Sequence, residues 1–271
     1  MNILIALTYY RPHYSGLTIY AEREARALAA RGHRVTILTS RFDKSLPAHE
    51  IHDGVEIVRL DVWFRISKGV IMPSILPQAW KLARKADIVH LHAPQLDAAP
   101  LALMARMLQK PVVLTYHCDL SLPSGFVHYL ANQASNLANQ VTARAADIII
   151  HNTQDYADHS HFLQPFLGKV RAVYPPVEVV PISEDQRTSF RQKYNLLPGQ
   201  RIVGMAARLV TEKGVEYLAE ALPLVLQKHP NARVLFVGPY RNLIGEEQYA
   251  QKVMRVIERL GGHWTFLGVV T

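Results

Sequence analysis

The sequence predicts an α/β fold of two doubly wound parallel-sheet domains, the second incomplete. Three observations carry this reading. Short apolar strands alternate with amphipathic helices, a proline cluster interrupts the alternation near residue 175, and the alternation then restarts but stops after three strands. A length of 271 residues suits two domains at roughly 100–200 residues each. The composition, 49% apolar and 19% charged, is that of a globular chain able to bury a core.

Residues 2–7 form a continuous apolar run, the kind buried on both faces of a parallel sheet. Pro12, Ser15 and Gly16 mark the following loop. Leu17, Tyr20, Ala21, Ala25 and Leu28 then recur at helical spacing, and Gly32 ends that helix where a left-handed residue is wanted. Further strands are expected at 35–39, 55–60, 88–92, 112–116 and 148–151, with helices at 77–85 and 124–146. Strands separated by helices imply right-handed crossovers, so residues 1–175 form the first domain. Pro175, Pro176 and Pro181, three prolines within seven residues, break any regular element. Residues 176–200 are therefore a linker and a leading helix at 185–194. Residues 201–271 open the second domain, with strands at 201–206, 233–237 and 263–267 and helices at 214–227 and 246–260. Val215, Leu218, Ala219, Leu222, Val225 and Leu226 form an apolar stripe on the first of these helices.

Composition excludes several classes of function. The single Cys118 rules out an intrachain disulfide and a multi-cysteine zinc site, and it fits a reducing, cytoplasmic setting. No apolar run approaches the ~20 residues that a spanning helix needs. The net charge of +8 permits an anionic partner, yet it is spread evenly: 18 basic and 14 acidic residues up to residue 180, and 12 and 8 after it. With no basic stripe or aromatic stacking platform, nucleic acid is not expected as a partner. The basic, partly apolar stretch 63–72 reads as a loop over the sheet, with contact to acidic lipid as the alternative.

Open α/β sheets bind ligands at the carboxyl ends of their strands, so the loops after each strand are where chemistry is sought. The loop from Arg11 to Gly16 leads into a helix whose N-terminal amides suit an anion, and it suits a plain tight turn equally well. Neither a Gly-x-Gly-x-x-Gly nor a Gly-Lys-Ser/Thr fingerprint is present. In the loop at 208–214, Thr211 reads as an N-cap. Arg208 and Lys213 place two cations at a helix start, which is unfavourable unless an anion neutralises them, so a phosphate or diphosphate site is favoured there. The competing reading is a solvated loop in which Lys213 pairs with Glu212 or Glu216. His117 follows a buried strand and is placed to exchange a proton or hydrogen bond with a ligand, or to be a hydrogen-bonded strand-end histidine. Asp119 is a weaker candidate for binding an acceptor. His90 and His92 project from one strand face at metal-ligand spacing. With one thiol and no Glu-x-x-His beside them they read as structural, and no metal is assigned.

These motifs together resemble the family-4 glycosyltransferases of the GT-B fold, retaining enzymes that use nucleotide-diphosphate sugars. The residues that carry the resemblance are Tyr10, Pro12, Ser15 and Gly16; the run from Ala27 to Val35; Asp87 to His92; Tyr116 and His117; and Ala207 to Gly214. The resemblance implies a donor held between two Rossmann-like domains, its diphosphate clamped by Arg208 and Lys213 and approached by the backbone around Gly16. It assigns His117 to the family histidine that faces the transferred sugar. Beside these, Ser15 and Asp119 are candidates for sugar or acceptor contact. No metal or resident cofactor is implied; the donor is a co-substrate and the acceptor is a sugar, lipid-linked or other hydroxyl, with peripheral membrane contact where the acceptor is a lipid. Charge neutralisation of the leaving diphosphate would be the main catalytic effect.

Two departures from the family pattern stand out. The paired glycine is here Ser15-Gly16, and Gly-Arg-Leu begins here with Ala207. The family's paired-glutamate segment, which follows a strand like 264–268, is missing. The chain is therefore expected to be a truncated, inactive form. The alternatives are a non-catalytic binding module of GT-B ancestry for a phosphorylated ligand or partner, and a metal hydrolase built on His90 and His92.

Overall fold

Apolar strands and amphipathic helices assemble into two compact units, Met1–Val179 and Val180–Thr271. The structure, a computed structural model, describes residues 1–66, 69–119, 126–241, 243 and 246–270. The first unit runs β1 (Asn2–Ala6), α1 (Gly16–Ala30), β2 (Arg34–Arg41), β3 (His49–His52), β4 (Val55–Asp61), β5 (Phe64–Ile66), β6 (Gly69–Ile71), α2 (Ile75–Lys85), β7 (Ile88–Ala93), α3 (Ala98–Met107), β8 (Val112–Tyr116), α4 (Phe126–Ala145), β9 (Ile148–His151), α5 (Gln154–His159) and β10 (Val170–Ala172). Among the described residues, eight of these strands form one sheet in the order β10-β9-β8-β7-β1-β2-β4-β3. All pairs are parallel except the β3–β4 edge.

The doubly wound character follows from alternation along β1. Ile3 and Ile5 join Ala21 and Ala25 of α1 in one buried cluster, while Leu4 and Ala6 join Ala83 of α2 and Ala102 of α3 in another. Burial of each such large aliphatic side chain contributes about 1.5–3 kcal/mol. Helix α1 ends as its sequence requires: Gly32 takes φ +83°, its N–H donates to Ala29 O, and that of His33 donates to Leu28 O, a Schellman pair of bonds.

Several features depart from the sequence reading, the short edge strand β10 among them. Helix α3 was not anticipated, because its exposed side, with Leu103 and Met107, is nearly as apolar as its buried side of Ala98, Leu101, Ala102, Met104 and Ala105. The edge hairpin β3–β4 turns at Asp53-Gly54, both with positive φ, the mirror-image turn that an Asp-Gly pair favours. The stretch 63–72 is not a plain loop: Phe64–Ile66 pairs antiparallel with Gly69–Ile71, leaving Trp63 and Phe64 exposed. Short α5 was also missed. Ser67 and Lys68 of that stretch, and Ser124 at the expected start of α4, lie outside the described residues.

The second unit contains α6 (Glu184–Lys193), β11 (Ile202–Ala206), α7 (Val215–Lys228), β12 (Arg233–Val237), α8 (Glu247–Glu258) and β13 (Trp264–Gly268), with a parallel sheet in the order β11-β12-β13. Val215, Ala219 and Leu222 of α7 are buried with Val234, Phe236, Val253, Ile257 and Trp264. Among the described residues no helix is long and apolar enough to cross a membrane.

Candidate active site

In the first unit the parallel strands end together on one edge, which gathers the loops after β1, β7 and β8. Register pairs His92 with Thr115, so His90 and His92 on β7 and Thr115 on β8 share a face, and His117 continues it two residues on. The His117 N–H donates to Ala93 O at 3.0 Å, extending the ladder past the end of β8. His92 Nδ1 and His117 Nε2 lie 3.0 Å apart, and their rings stack at 5.3 Å. His90 Nε2 lies 2.7 Å from Thr115 Oγ1.

Helix α1 covers this face with Tyr20 and Glu24, one turn apart. The Tyr20 ring meets the His117 ring edge-on at 5.1 Å. Glu24 reaches both β7 histidines: Oε1 is 3.5 Å from His90 Nδ1, and Oε2 is 3.4 Å from His92 Nε2. The sequence reading missed Glu24. The available signal was a carboxylate inside the apolar stripe of α1, three residues after Ala21 and four after Tyr20. Glu24, His90 and His92 place one ligand-type atom each within 4.8 Å of one another, an arrangement that would also suit a metal.

Burial dominates the electrostatics. It pushes His90 down to about 4 and both His92 and His117 down to about 3, so all three rings are neutral near pH 7. The same desolvation raises Glu24, opposed by the nearby His90.

The other candidate residues of this unit have clear local partners. Ser15 is the N-cap of α1: its Oγ accepts from the Thr18 N–H at 3.2 Å, while its own N–H donates to Thr18 Oγ1 at 2.8 Å. Gly16 is the first residue of α1, and a Cβ added to it would meet nothing within 4 Å. Asp119 turns away from His117. It accepts hydrogen bonds from Tyr116 Oη at 2.9 Å and Ser160 Oγ at 3.0 Å, and its N–H donates to Tyr156 Oη at 2.8 Å.

In the second unit, Thr211 is not the N-cap of α7. A single 3₁₀ turn, Thr211–Lys213, follows β11, and Gly214 with φ +60° then caps α7. Thr211 instead donates through its N–H and hydroxyl to Glu246 Oε2, at 3.0 and 2.8 Å. Arg208 and Lys213 share one counterion, Glu212, at 3.0 and 3.4 Å, and all three side chains are about half exposed. The pairing foreseen for a solvated loop is therefore present, on the same surface turn that holds the two cations.

Residues 14–180 match the family Glycosyltransferase Family 4, and residues 186–271 match Glycosyl transferases group 1. A glycosyltransferase of Methanocaldococcus jannaschii is 24% identical, with 88% of this chain and 63% of that protein covered. A D-inositol 3-phosphate glycosyltransferase of Pseudarthrobacter chlorophenolicus is also 24% identical, with 80% and 55% covered. The chain thus spans between half and two thirds of the length of these relatives. Among solved structures, HepE of Anabaena, in complex with UDP and glucose, superposes with a TM-score of 0.71 at 20% identity, covering 100% of this chain and 70% of HepE. WaaG, a glycosyltransferase involved in lipopolysaccharide biosynthesis, gives 0.60 at 17%, with 99% and 70% covered. These likenesses show a GT-B fold with Rossmann-like units. The first family match alone spans more than half of the chain, so the chain belongs to Glycosyltransferase Family 4.

Proposed function

We propose that this chain binds a nucleotide-diphosphate sugar and serves the transfer of its hexosyl group to an acceptor hydroxyl, with retention at the anomeric carbon. The observation that carries this reading is His117: a neutral imidazole held just past the end of β8, in the loop region where open sheets meet their ligands. In this reading His117 contacts the transferred sugar. Gly16 opens a helix N-terminus whose N–H groups and dipole attract phosphate, and its bare backbone leaves room for one. Arg208 and Lys213 exchange Glu212 for the diphosphate and neutralise the charge that grows as it leaves. The bond from the anomeric carbon to the diphosphate oxygen breaks and a bond to the acceptor oxygen forms on the same face. The acceptor proton passes to the departing phosphate.

Ser15 and Asp119 already accept hydrogen bonds from Thr18, Tyr116 and Ser160, so here they shape the loops that meet sugar and acceptor. A lipid-linked acceptor would bring the chain to a membrane face, and the exposed Trp63 and Phe64 are the surface suited to that contact.

The HepE complexes contain UDP with glucose, or UDP-glucose, which supports a UDP-sugar as the donor to test first. Calorimetry with UDP and UDP-glucose, followed by a transfer assay, tests the reading. Binding that weakens in Arg208→Ala and His117→Ala supports it. Affinities unchanged in both variants would sink it, and binding without transfer would favour a non-catalytic module.

A further inference from the structure

We infer that Glu24, acting through His92, fixes the tautomer of His117 and makes it a hydrogen-bond acceptor toward a hydroxyl of the bound sugar. This rests on the proposed contact between His117 and the sugar. The steps follow from donor and acceptor inventory. When Glu24 is ionised, the form that the neighbouring His90 favours against the desolvation that raises it, its oxygens only accept hydrogen bonds, so a nitrogen facing one must carry a proton; a protonated Glu24 would reverse the ladder and leave His117 protonated at Nδ1. Each Glu24 oxygen faces one ring nitrogen, Nδ1 of His90 and Nε2 of His92. At 3.4 Å the contact to His92 is longer than an ideal hydrogen bond. Glu24 Oε2 and His92 Nε2 are both buried without a hydrogen-bond partner and face each other, so a bare ring nitrogen there would set lone pair against lone pair.

A neutral imidazole carries one proton, so a His92 protonated at Nε2 has a bare Nδ1. That atom lies 3.0 Å from His117 Nε2, which must then carry the proton of the pair. His117 is left with a bare Nδ1, an acceptor. His90 resolves in the same way: its Nδ1–H faces Glu24, and its bare Nε2 accepts from the Thr115 hydroxyl. The surrounding groups are Tyr20 on α1, whose ring packs against His117, and His151 at the end of β9. Glu24 and His92 are therefore positioning residues for His117: His92 acts on it through one hydrogen bond, Glu24 acts through His92, and neither touches the ligand.

Histidine ring ¹⁵N NMR on the ligand-free chain is the direct test. Both His92 and His117 are expected as the Nε2–H tautomer with a bare Nδ1; His117 protonated at Nδ1 would overturn the inference. In Glu24→Gln the amide presents a donor as readily as an acceptor, so His117 should lose its single tautomer, and an unchanged His117 spectrum in that folded variant would also overturn it. Should Glu24→Gln fail to fold, His92→Phe keeps a ring in place while removing the acceptor for His117 Nε2–H, with the same expected result. On the ligand side, either variant should lose about tenfold in UDP-glucose affinity, the worth of one hydrogen bond, with UDP affinity nearly unchanged. If the unmodified chain binds UDP-glucose no better than UDP, the sugar reading of His117 fails while the NMR result stands by itself. Stoichiometric zinc in the purified protein, lost in His92→Phe, would make Glu24 a metal ligand and overturn the ladder.

Discussion

Gly238 lies against the carbonyl of Ala207: a Cβ built on Gly238 would sit 2.0 Å from the Ala207 oxygen, and its φ of +131° belongs to a region that L side chains rarely enter. The contact closes the carboxyl ends of β11 and β12, where Ala207 N–H donates to Val237 O at 2.9 Å and Leu209 N–H to Pro239 O at 3.0 Å. Those bonds set the start of the loop that carries Arg208. Gly238→Ala should therefore destabilise the second unit by at least about 3 kcal/mol, through clash and backbone strain together. Gly204→Ala on exposed β11, where an added Cβ meets nothing within 4 Å, should stay within about 0.5 kcal/mol. Urea unfolding followed by far-UV circular dichroism compares the two, and equal midpoints would refute the close-approach argument.

Arg208 and Lys213 separate binding from folding. Their pairs with Glu212 are half exposed, so each contributes at most about 1 kcal/mol to stability. Arg208→Ala and Lys213→Ala should unfold close to the parent yet bind UDP at least about tenfold more weakly, and that binding should weaken further with salt. Calorimetry at two ionic strengths checks this; unchanged affinity in both variants would remove the diphosphate clamp.

Acidification should loosen the first unit before most of its carboxylates titrate. His90, His92 and His117 have folded values of about 3–4, below the unfolded value near 6.5. The unfolded chain therefore binds protons that the native state refuses. Stability is full above about pH 6.5 and falls below it, by about 1.4 kcal/mol per pH unit for each ring that stays neutral. Glu24 is shifted upward and works in the opposite sense, recovering some stability as it protonates. Urea midpoints between about pH 7.5 and 5 should drop steeply, and less steeply in His117→Phe; a flat profile would contradict neutral burial of the three rings.

What was legible in the sequence was periodicity, and what was hidden was chemistry acting across elements. The run at 2–7 and the stripe Leu17, Tyr20, Ala21, Ala25 and Leu28 announced β1 and α1, because β1 is buried on both faces and α1 along one. Helix α3 was invisible to the same test, since its exposed side carries Leu103 and Met107 and so contrasts little with its buried alanines. The Asp53-Gly54 turn carried a local signal that was passed over. His117 was found at its strand end, whereas Glu24 acquires its meaning only when α1 is laid over β7, a contact between residues far apart in sequence. Thr211 shows the reverse error: it has the residue type of a cap, yet Gly214 takes that place and Glu246 takes the Thr211 hydroxyl.

The start of α1 allows the sharpest separation of structural from functional roles. Ser15 closes a reciprocal cap with Thr18, so Ser15→Ala should cost about 1 kcal/mol of stability. Gly16 does no comparable structural work: its neighbourhood is open, and alanine suits the first turn of a helix better than glycine does. Gly16→Ala should therefore leave thermal stability unchanged or raise it slightly, since the unfolded chain also loses freedom. If a phosphate of the donor packs against this backbone, the added methyl takes up the space it needs, and nucleotide-sugar affinity should fall at least about tenfold as stability holds. A melt paired with UDP-glucose titration reads both quantities on one sample. Affinity preserved in Gly16→Ala would mean that the donor does not approach the N-terminus of α1 and would confine phosphate recognition to Arg208 and Lys213.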